Sequence, residues 1–517
     1  MLLNKKLIMG LVFFQLAILA ISAQTEKPNV IFIICDDLND YQGVFGGHPQ
    51  AITPNIDKLA ASGVQFVNAQ SNAPVCQPSR NSLFTGVYPH DSKDFGWTPI
   101  LKQPVLKNNK TLIALFKENG YRTLGSGKLT HGKPPKEWME WGANYKHNYG
   151  PAYNNGEKNI AHPKVPEPYS KIGPVDGSYG RLSTAGISTG ERGNPGWVYG
   201  WDKKPFRYIS ENDRDLLQDE KHAKWALEKL KELENVKTPF FMGIGFVRPH
   251  TPLHAPDKYF DMFPIEDLEL SPWMKGDNDD TYWSENFDEN KKGKRYYREL
   301  LASYNEDREL AMKHFLQAYL ACVAFVDEQI GKVIDALESS SLKENTIVVF
   351  TSDHGWQMGE KGYLFKNSPW EESARVPLII RTPDSKPGLK VSQPVSLVDI
   401  YPTLIDLCNL EGTNKLNDNG ADLGGFSTKP LIEGKKSWKG PNGALTIIGN
   451  YGKSVPTKEQ NFSYRTEEFR YIHYGNGREE LYDHTNDPFE WHNVADQKKY
   501  LKTKKVLRSE MKTIMED

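Results

Sequence analysis

The chain has 517 residues, more than the roughly 250–300 at which one hydrophobic core stops growing, so a large domain and a smaller one are expected. Hydrophobic residues at 38% and charged residues at 25% exclude a wholly disordered chain, and 42 Gly and 33 Pro without a triplet period exclude a collagen-like one. A net charge of −2 argues against a nucleic-acid partner, and four Cys are too few for a disulfide framework.

The N-terminus has the pattern of a secretory signal peptide. Lys5 and Lys6 precede an apolar run over residues 7–21, which leads to small residues ending at Ala23. The run is shorter than the about 20 apolar residues that span a bilayer, so cleavage near Ala23 is favoured over a transmembrane anchor. Residues 1–23 are therefore predicted to be a signal peptide. The mature protein is expected to be exported, periplasmic or secreted, with no membrane span.

Short apolar runs, each followed by polar residues, predict buried strands. They are too short for typical helices, and most are rich in β-branched residues. The runs are Val30–Cys35, Tyr121–Ser126, Phe240–Phe246 and Thr346–Thr351. Helical patterns lie between them, over residues 53–63, 111–120, 216–233 and 309–337. Because strands that alternate with helices form parallel units, and ligands bind beyond the carboxyl ends of such strands, the polar clusters are expected to form the site.

The remaining regions have a different composition. Residues 135–210 are dense in Gly, Pro, Asn and aromatic residues, and residues 265–305 are charged and aromatic. Both are predicted to be long loops over one face. After Ser385, short strands and turns predict a smaller α+β domain with a short antiparallel sheet. The expected division is a main catalytic domain over 24–385 and a C-terminal domain over 386–517.

The most informative motif is Cys76-x-Pro78-Ser79-Arg80. Pro78 suits the first position of a helix, and Gly86 suits its end. Cys76 is then expected at a helix N-terminus, where unpaired N–H groups and the helix dipole attract an anion. Arg80 would project from the first turn and hold that anion. Taken alone, a single Cys is more often a small buried apolar residue.

This motif resembles the signature of the type I, formylglycine-dependent sulfatases. The resemblance is closest to the iduronate-2-sulfatase-like branch and extends from Pro28 to about Asn493. It implies that a separate maturation enzyme oxidises Cys76 to formylglycine, whose hydrated aldehyde supplies the nucleophile. It also implies an alkaline-phosphatase-like α/β sandwich, in which helices flank a large, mostly parallel sheet, with the smaller C-terminal domain added.

The resemblance further implies one calcium ion at the head of the sheet. Sulfatases of this family bind it through paired aspartates after the first strand and a second acidic pair after a later one. The corresponding ligands here are Asp36, Asp37, Asp353 and His354, together with Cys76. Either pair alone would more often be a turn or a helix cap. Oxygen-rich ligation suits Ca²⁺, although His354 is an unusual calcium partner and leaves Mg²⁺ open.

Further residues that follow strand ends match family positions. Lys128, Lys366 and Arg80 would supply the positive field that binds a sulfate ester. The resemblance implies that His250 protonates the leaving oxygen, with Lys366 assisting, and that His131 takes the proton of the second hydroxyl as sulfate is expelled. The spacing of the residues alone does not show which histidine acts in which proton transfer.

The predicted function is hydrolysis of sulfate monoesters on a sulfated polysaccharide or its oligosaccharides, with a 2-O-sulfate as one option. The expected partners are this carbohydrate and the maturation enzyme. Stacking on sugar faces would suit the aromatic residues of the predicted loops, and ordinary packing would explain them equally well. These residues are Trp138, Trp141, Tyr145, Tyr149, Tyr153, Trp197, Tyr199 and Trp201.

Two alternatives stay open at this point. A phosphonate monoester or phosphodiester hydrolase of the same fold would favour a more positive pocket or a second metal, and the sequence offers ligands for one. A non-catalytic, secreted glycan-binding protein with a decayed site should lack at least one of the motif residues, yet all are present.

Overall fold

The computed structural model describes residues 27–132, 135–142, 149–191, 193–200, 204–286, 291–449 and 456–516. The predicted signal peptide at residues 1–23 lies outside this part of the chain. None of the helices within it is both long and apolar enough to cross a membrane.

The described strands, in chain order, are β1 Asn29–Asp36, β2 Val64–Gln70, β3 Arg122–Gly127, β4 Glu140–Trp141, β5 Ala152–Asn154, β6 Asn159–Ile160, β7 Tyr179–Arg181, β8 Gly196–Tyr199, β9 Lys204–Pro205, β10 Tyr208–Ser210, β11 Asp213–Arg214, β12 Phe240–Pro249, β13 Leu253–Ala255, β14 Thr346–Ser352, β15 Arg375–Arg381, β16 Leu389–Val391, β17 Val395–Ser396, β18 Ala444–Ile448, β19 Asn461–Arg465, β20 Phe469–His473 and β21 Glu479–Asp483. The described α-helices of seven or more residues are α1 Pro54–Ser62, α2 Cys76–Thr85, α3 Leu112–Glu118, α4 Gln218–Leu233, α5 Lys292–Ala302, α6 Arg308–Glu338, α7 Ile400–Cys408 and α8 Leu501–Glu516. Shorter helices are Pro89–Ser92, Asp257–Phe260, Trp283–Asn286, Glu371–Ala374 and Lys429–Ile432.

The predicted large, mostly parallel sheet is confirmed. Its strand order is β16-β2-β15-β14-β1-β12-β3-β4, with β17 also paired to β2. The central strand β1 is parallel to β12 and β14, and β3 continues this direction, whereas β15 is antiparallel to both of its neighbours. A parallel strand covered on both faces is apolar throughout, which explains the continuous apolar run in β1.

Helices cover both faces of this sheet. Because successive side chains of a strand point to opposite faces, Ile31 and Ile33 pack with α1, α4 and α6. Val30, Phe32 and Ile34 pack on the other face with α2, α3 and α7. The sheet thus lies between two layers of helices, which confirms the predicted α/β sandwich.

The predicted strands and helices occur close to their expected bounds, with two differences. Strand β12 continues past the expected end at Phe246 as far as Pro249. Helix α2 begins at Cys76, so Pro78 occupies its third position and not its first. That position tolerates proline because the first N–H groups of a helix have no intrahelical partner. Gly86 ends the helix as expected, with a φ of 68° that glycine adopts without steric cost.

The prediction of two long loops was wrong, because both regions contain regular structure. Within residues 135–210, β6, β5, β8 and β9 form an antiparallel sheet. These strands have two to four residues each, too few to leave an alternating pattern in the sequence. Within residues 265–305, α5 buries Tyr296 and Leu300 at helical spacing, but its many charged residues hide the apolar stripe.

The aromatic residues of these regions mostly serve packing. Trp138, Trp197 and Tyr199 are buried in the core, so the suggested stacking on sugars does not apply to them. Tyr145 and Trp201 lie outside the described residues.

The C-terminal region contains the predicted short antiparallel sheet. Strands β18, β19, β20 and β21 pair in sequence, and α8 packs on them around a separate apolar cluster. Strands β16 and β17 follow the expected boundary at Ser385 but pair with β2, and α7 packs on the large sheet. The large sheet therefore extends to Ser396, and the division into 24–385 and 386–517 stays a prediction.

Candidate active site

The structure brings the predicted site residues together at one edge of the large sheet. Strands β3, β12, β1 and β14 are parallel neighbours, so their carboxyl ends meet there. The residues at or after these ends are Asp36, Asp37, Lys128, His131, His250, Asp353 and His354. Helix α2 contributes Cys76 and Arg80, and the loop before the short helix Glu371–Ala374 contributes Lys366. All of these side chains are buried except that of His131, which is half-buried.

Two consecutive aspartates point into the site. Side chains alternate along a strand, so Asp36 and Asp37 would normally face opposite ways. Asp37 instead adopts a φ of 63°, in the left-handed region that Asp tolerates better than most residues. This turn directs both carboxylates toward the first residue of α2.

Cys76 lies at the centre of the site. Its Sγ is 3.1 Å from Lys366 Nζ and 3.4 Å from His354 Nε2. Burial and the nearby Asp36 carboxylate raise the pKa of the Cys76 thiol, although Lys128 and Lys366 oppose this. The unmodified side chain is therefore a neutral thiol at pH 7 and a poor nucleophile.

Arg80 contacts carboxylates, where a contact with a bound anion was expected. Its Nε donates to Asp353 Oδ2 at 2.8 Å and its Nη2 to Asp36 Oδ1 at 3.2 Å. Its Nη1 donates to the carbonyls of Lys128 and Leu129. The guanidinium is fully buried and holds the acidic groups in place. The sequence motif located Arg80 at the site but could not specify these partners, which come from distant segments.

The serine of the motif also has a structural partner. Ser79 Oγ on α2 and Ser71 Oγ after β2 both donate to the main-chain carbonyl of Asp353. These two hydroxyls fix the turn that carries Asp353 and His354. The motif thereby connects the helix that bears Cys76 to the end of β14.

Two lysines neutralise the paired aspartates. Lys128 Nζ contacts Asp36 Oδ2, and Lys366 Nζ lies 2.7 Å from Asp37 Oδ1. Burial alone would lower the pKa of Lys366, but Asp37 and Cys76 raise it well above its usual value. Both ammonium groups are therefore charged at pH 7 and create a positive field around Cys76.

His354 is oriented as a metal ligand. Its Nδ1 lies 3.0 Å from the Gly355 carbonyl, which can only accept, so Nδ1 carries the proton. Burial lowers the pKa of the ring, which leaves it neutral with a lone pair on Nε2. That lone pair faces Asp37 Oδ1 at 3.4 Å and Asp353 Oδ2 at 3.5 Å. Lys366 and Arg80 already donate to these two oxygens, and a cation near Nε2 would use the lone pairs that remain.

The donor set therefore fits a divalent cation. Ligand atoms of Asp36, Cys76, Asp353 and His354 all lie within 4.8 Å of one another. Asp37 Oδ2 is buried without a hydrogen-bond partner in the described chain. Burial raises the pKa of Asp37 to about 8, with Asp36 adding to the rise and Lys366 opposing it. A bound cation would satisfy this oxygen and offset the crowded negative charge.

His250 faces the aspartates from the end of β12. Its Nδ1 donates to the Thr251 carbonyl, so Nε2 points toward the carboxylates, 3.8 Å from Asp37 Oδ2 and 3.9 Å from Asp36 Oδ2. Burial and Lys366 lower the pKa of His250 well below its usual value. The ring is neutral in the absence of a bound anion, and Nε2 is free to receive a proton.

Tyr149 is a site residue that sequence reasoning left open between sugar stacking and ordinary packing. Its ring lies 4.8 Å from the ring of His250, and Lys128 Nζ lies over it at 4.7 Å from its centroid. It therefore packs against two of the predicted catalytic side chains. No local pattern identifies Tyr149, because its partners come from distant parts of the sequence.

His131 occupies the solvent side of the site. Its ring centroid is 4.9 Å from that of Trp97. Burial and the charge of Lys128 lower the pKa of His131 to about 3. A neutral imidazole at this position can accept a proton during the reaction.

Comparisons with known proteins agree with this arrangement. The sulfatase family model matches residues 28–410, and the model of the N-sulphoglucosamine sulphohydrolase C-terminal region matches residues 359–517. A sulfatase of Formosa agariphila is 32% identical over 501 residues, which cover 93% of this chain and 85% of that protein. Human iduronate 2-sulfatase is 25% identical over 539 residues, which cover 92% of each chain.

A solved structure extends the comparison to the fold. Phosphonate monoester hydrolase of Agrobacterium radiobacter has a TM-score of 0.66 at 22% identity, over 94% of this chain and 95% of that chain. At this identity the likeness shows the fold alone. It confirms the alkaline-phosphatase-like architecture.

Proposed function

This chain belongs to the sulfatase family and is a sulfuric ester hydrolase, and we propose that it is exported. We further propose that it releases sulfate from the 2-O positions of a sulfated polysaccharide or its oligosaccharides. One observation carries the chemistry: Cys76 contacts Lys366, lies within the electrostatic influence of Lys128, and adjoins a buried group of carboxylates and imidazoles. The relationship to iduronate 2-sulfatase over 92% of each chain supports the 2-O position. The signal-peptide pattern at residues 1–23 supports export.

The proposal includes two groups that the chain must acquire. They are a formylglycine made from Cys76 by a maturation enzyme and a Ca²⁺ ion held by Asp36, Asp37, Asp353, His354 and the modified residue 76. When present, the hydrated aldehyde would supply the hydroxyl that attacks sulfur, and the cation would add positive charge that polarises the ester. The number of carboxylate oxygens supports Ca²⁺ over Mg²⁺, since Mg²⁺ prefers to keep several waters.

The residues of this chain bind the ester and move its protons. Lys128 and Lys366 bind the sulfate oxygens through their ammonium groups, and Arg80 keeps the acidic ligands aligned. Asp37 Oδ2 accepts no hydrogen bond in the described chain, so a lone pair that the cation leaves unused would accept the proton of the attacking hydroxyl. The negative ester favours protonation of His250 at Nε2, from which the proton passes to the leaving sugar oxygen. His131 would then accept the proton of the second hydroxyl, so that the C–O bond to sulfate breaks and the aldehyde carbonyl re-forms.

The phosphorus-ester alternative lacks support from a second metal site. Glu371, His484 and Glu490 form another group of possible ligands in the described chain. However, Arg470 pairs with both glutamates, and Arg465 pairs with Glu371. Because arginines already neutralise this group, a second cation has no place there.

The proposed substrate is tested with a panel of defined sulfated oligosaccharides. The panel contains a 2-O-sulfated heparin disaccharide, its 6-O-sulfated and N-sulfated counterparts, and a phosphonate monoester. Released sulfate or phosphonate is measured for the matured, calcium-loaded enzyme. We expect the highest kcat/KM on the 2-O-sulfated sugar. Preferred turnover of the phosphonate ester would contradict the proposal, and preference for another sulfate position would remove its 2-O part.

If His250 protonates the leaving oxygen, its replacement should slow sugar sulfates more than aryl sulfates. A sugar alkoxide needs a proton as the sulfur–oxygen bond breaks, whereas nitrophenolate is stable without one. General acid catalysis is worth about 10²–10⁴-fold, so His250→Ala should lose that much kcat/KM on the sugar sulfate and much less on nitrophenyl sulfate.

The matched comparison is Lys128→Met, which keeps the apolar stem and removes the charge. It acts on the sulfate that both substrates share, so it should slow both by similar factors. Arg80 is less suitable here, since its loss would leave two buried carboxylates, Asp36 and Asp353, without a guanidinium partner. In Lys128→Met, Asp36 keeps its contact with Arg80. Equal losses on both substrates in His250→Ala would show that His250 binds sulfate and that another group donates the proton.

A further inference from the structure

A short loop beside the site is fixed by the same helix that carries Cys76. Asn81 on α2 is buried, and its Nδ2 donates to Asp94 Oδ2 at 2.7 Å and to the Thr98 carbonyl at 2.9 Å. These bonds hold both ends of the segment between Asp94 and Thr98. Asn81 directly follows Arg80, so the loop and the site share one rigid support.

Trp97 is presented by this loop. Its side chain is 50% exposed, and its ring lies 4.9 Å from that of His131 at an interplanar angle of 52°. Exposure increases along the segment after β3, from the buried Lys128 and Thr130 to the half-buried His131. Trp97 therefore lies where the site meets solvent.

Packing alone does not explain this position. Trp138 and Trp197 are 7% and 1% exposed and contribute to the core, as large aromatic residues usually do. Trp97 instead leaves about half of its surface in water while it contacts a predicted catalytic side chain. A single exposed aromatic residue means little by itself, but one that lies against His131 on a loop held by two hydrogen bonds of the buried Asn81 is positioned for contact with a ligand.

We propose that Trp97 is the platform on which the sugar ring of the substrate stacks, an inference that rests on the proposed hydrolysis of sulfated carbohydrates. The lysines of the site recognise the sulfate, which every sulfate ester has. The C–H face of a pyranose is apolar, and it can cover the indole while its hydroxyls stay in water. Trp97 would therefore select a sugar over a smaller alcohol, without touching the sulfate.

The test separates sugar binding from sulfate binding. Trp97→Ala and Trp97→Phe are compared with the wild type for kcat and KM on the 2-O-sulfated heparin disaccharide, and for inhibition by inorganic sulfate. Trp273→Ala is the matched control, because Trp273 is 38% exposed and packs on Arg308. We expect Trp97→Ala to raise KM about tenfold with little change in kcat, and Trp97→Phe to raise it less. The inhibition constant of inorganic sulfate should stay within about twofold in both variants.

Each other outcome overturns the inference. An unchanged KM in Trp97→Ala would exclude the platform while leaving the proposed function intact. A parallel rise in KM and in the sulfate inhibition constant, or a loss of kcat alone, would show that Trp97 only supports His131. If the wild type releases sulfate from aryl esters but from no sugar of the panel, the proposed function fails and the platform fails with it.

Discussion

Replacing Cys76 by alanine is expected to lower sulfate release by about four orders of magnitude or more, because the variant has no group at position 76 that can attack sulfur. The fold should persist. Cys76 forms no disulfide, and its neighbour Lys366 keeps its contact with Asp37. Initial rates on the preferred sulfated sugar, measured alongside the melting temperature, check both expectations.

The control for this variant is Cys408→Ala, which removes a buried thiol from α7 far along the chain. It should retain wild-type turnover. Peptide mass spectrometry of protein made together with a maturation enzyme should show the Cys76 sulfur replaced by an aldehyde oxygen. A fully active enzyme that carries the unmodified thiol would overturn the assignment of the nucleophile.

Removing the divalent cation should also cause a large loss of sulfate release. Asp36, Asp37 and Asp353 place three carboxylates at one point. Arg80 and two lysines balance their formal charge, but Asp37 Oδ2 is left without a hydrogen-bond partner in the described chain. Chelation is expected to lower kcat by about three orders of magnitude and to lower the melting temperature, with calcium restoring both. Unchanged turnover in a preparation verified to be metal-free would contradict the metal site.

The stabilisation by calcium should also depend on pH. Without a cation, burial raises the pKa of Asp37 to about 8 from its ordinary value of 3.8. Between these values the folded state binds a proton that the unfolded state has released, so the stability of the metal-free protein falls as pH rises. A bound cation keeps Asp37 ionised and removes this loss.

The gain in melting temperature on adding calcium should therefore be larger at pH 8 than at pH 6.5. Groups remote from the metal contribute equally with and without calcium, so they cancel in this difference. In Asp37→Asn, the gain in melting temperature on adding calcium should no longer increase with pH. A gain that shrinks toward pH 8 in the wild type would mean that Asp37 is not a ligand.

The large sheet was predictable because its buried strands have a distinctive local sequence pattern. Strands such as β1 and β14 are covered on both faces, so their sequences are continuous apolar runs that polar residues end abruptly. The small sheet within residues 135–210 leaves no such signal, because strands of two to four residues are too short for a period to emerge. Tertiary contacts, and not local preference, determine its structure.

The sequence predicted which residues form the site, but it did not predict which of them contact one another. The order of parallel strands ensures that residues after β1, β12 and β14 meet, so Asp36, His250 and Asp353 could be grouped from sequence alone. The partners of Arg80 depend on side-chain directions across three segments, which no spacing rule gives. Trp97 was missed as a site residue for the same reason, and so were the contacts of Tyr149 with the site, since each joins the site through contacts distant in sequence.

The burial of α2 also dictates when the chain can be matured. Every residue from Cys76 to Thr85 is buried, and Cys76 is 1% exposed. The proposed oxidation of this thiol would require an enzyme to reach the surrounding backbone, which the folded protein buries in its core. Such a maturation would have to precede folding and compete with it, so the yield of active protein would depend on the relative rates of the two events. Protein that folded before its modification would stay inactive until it unfolded again.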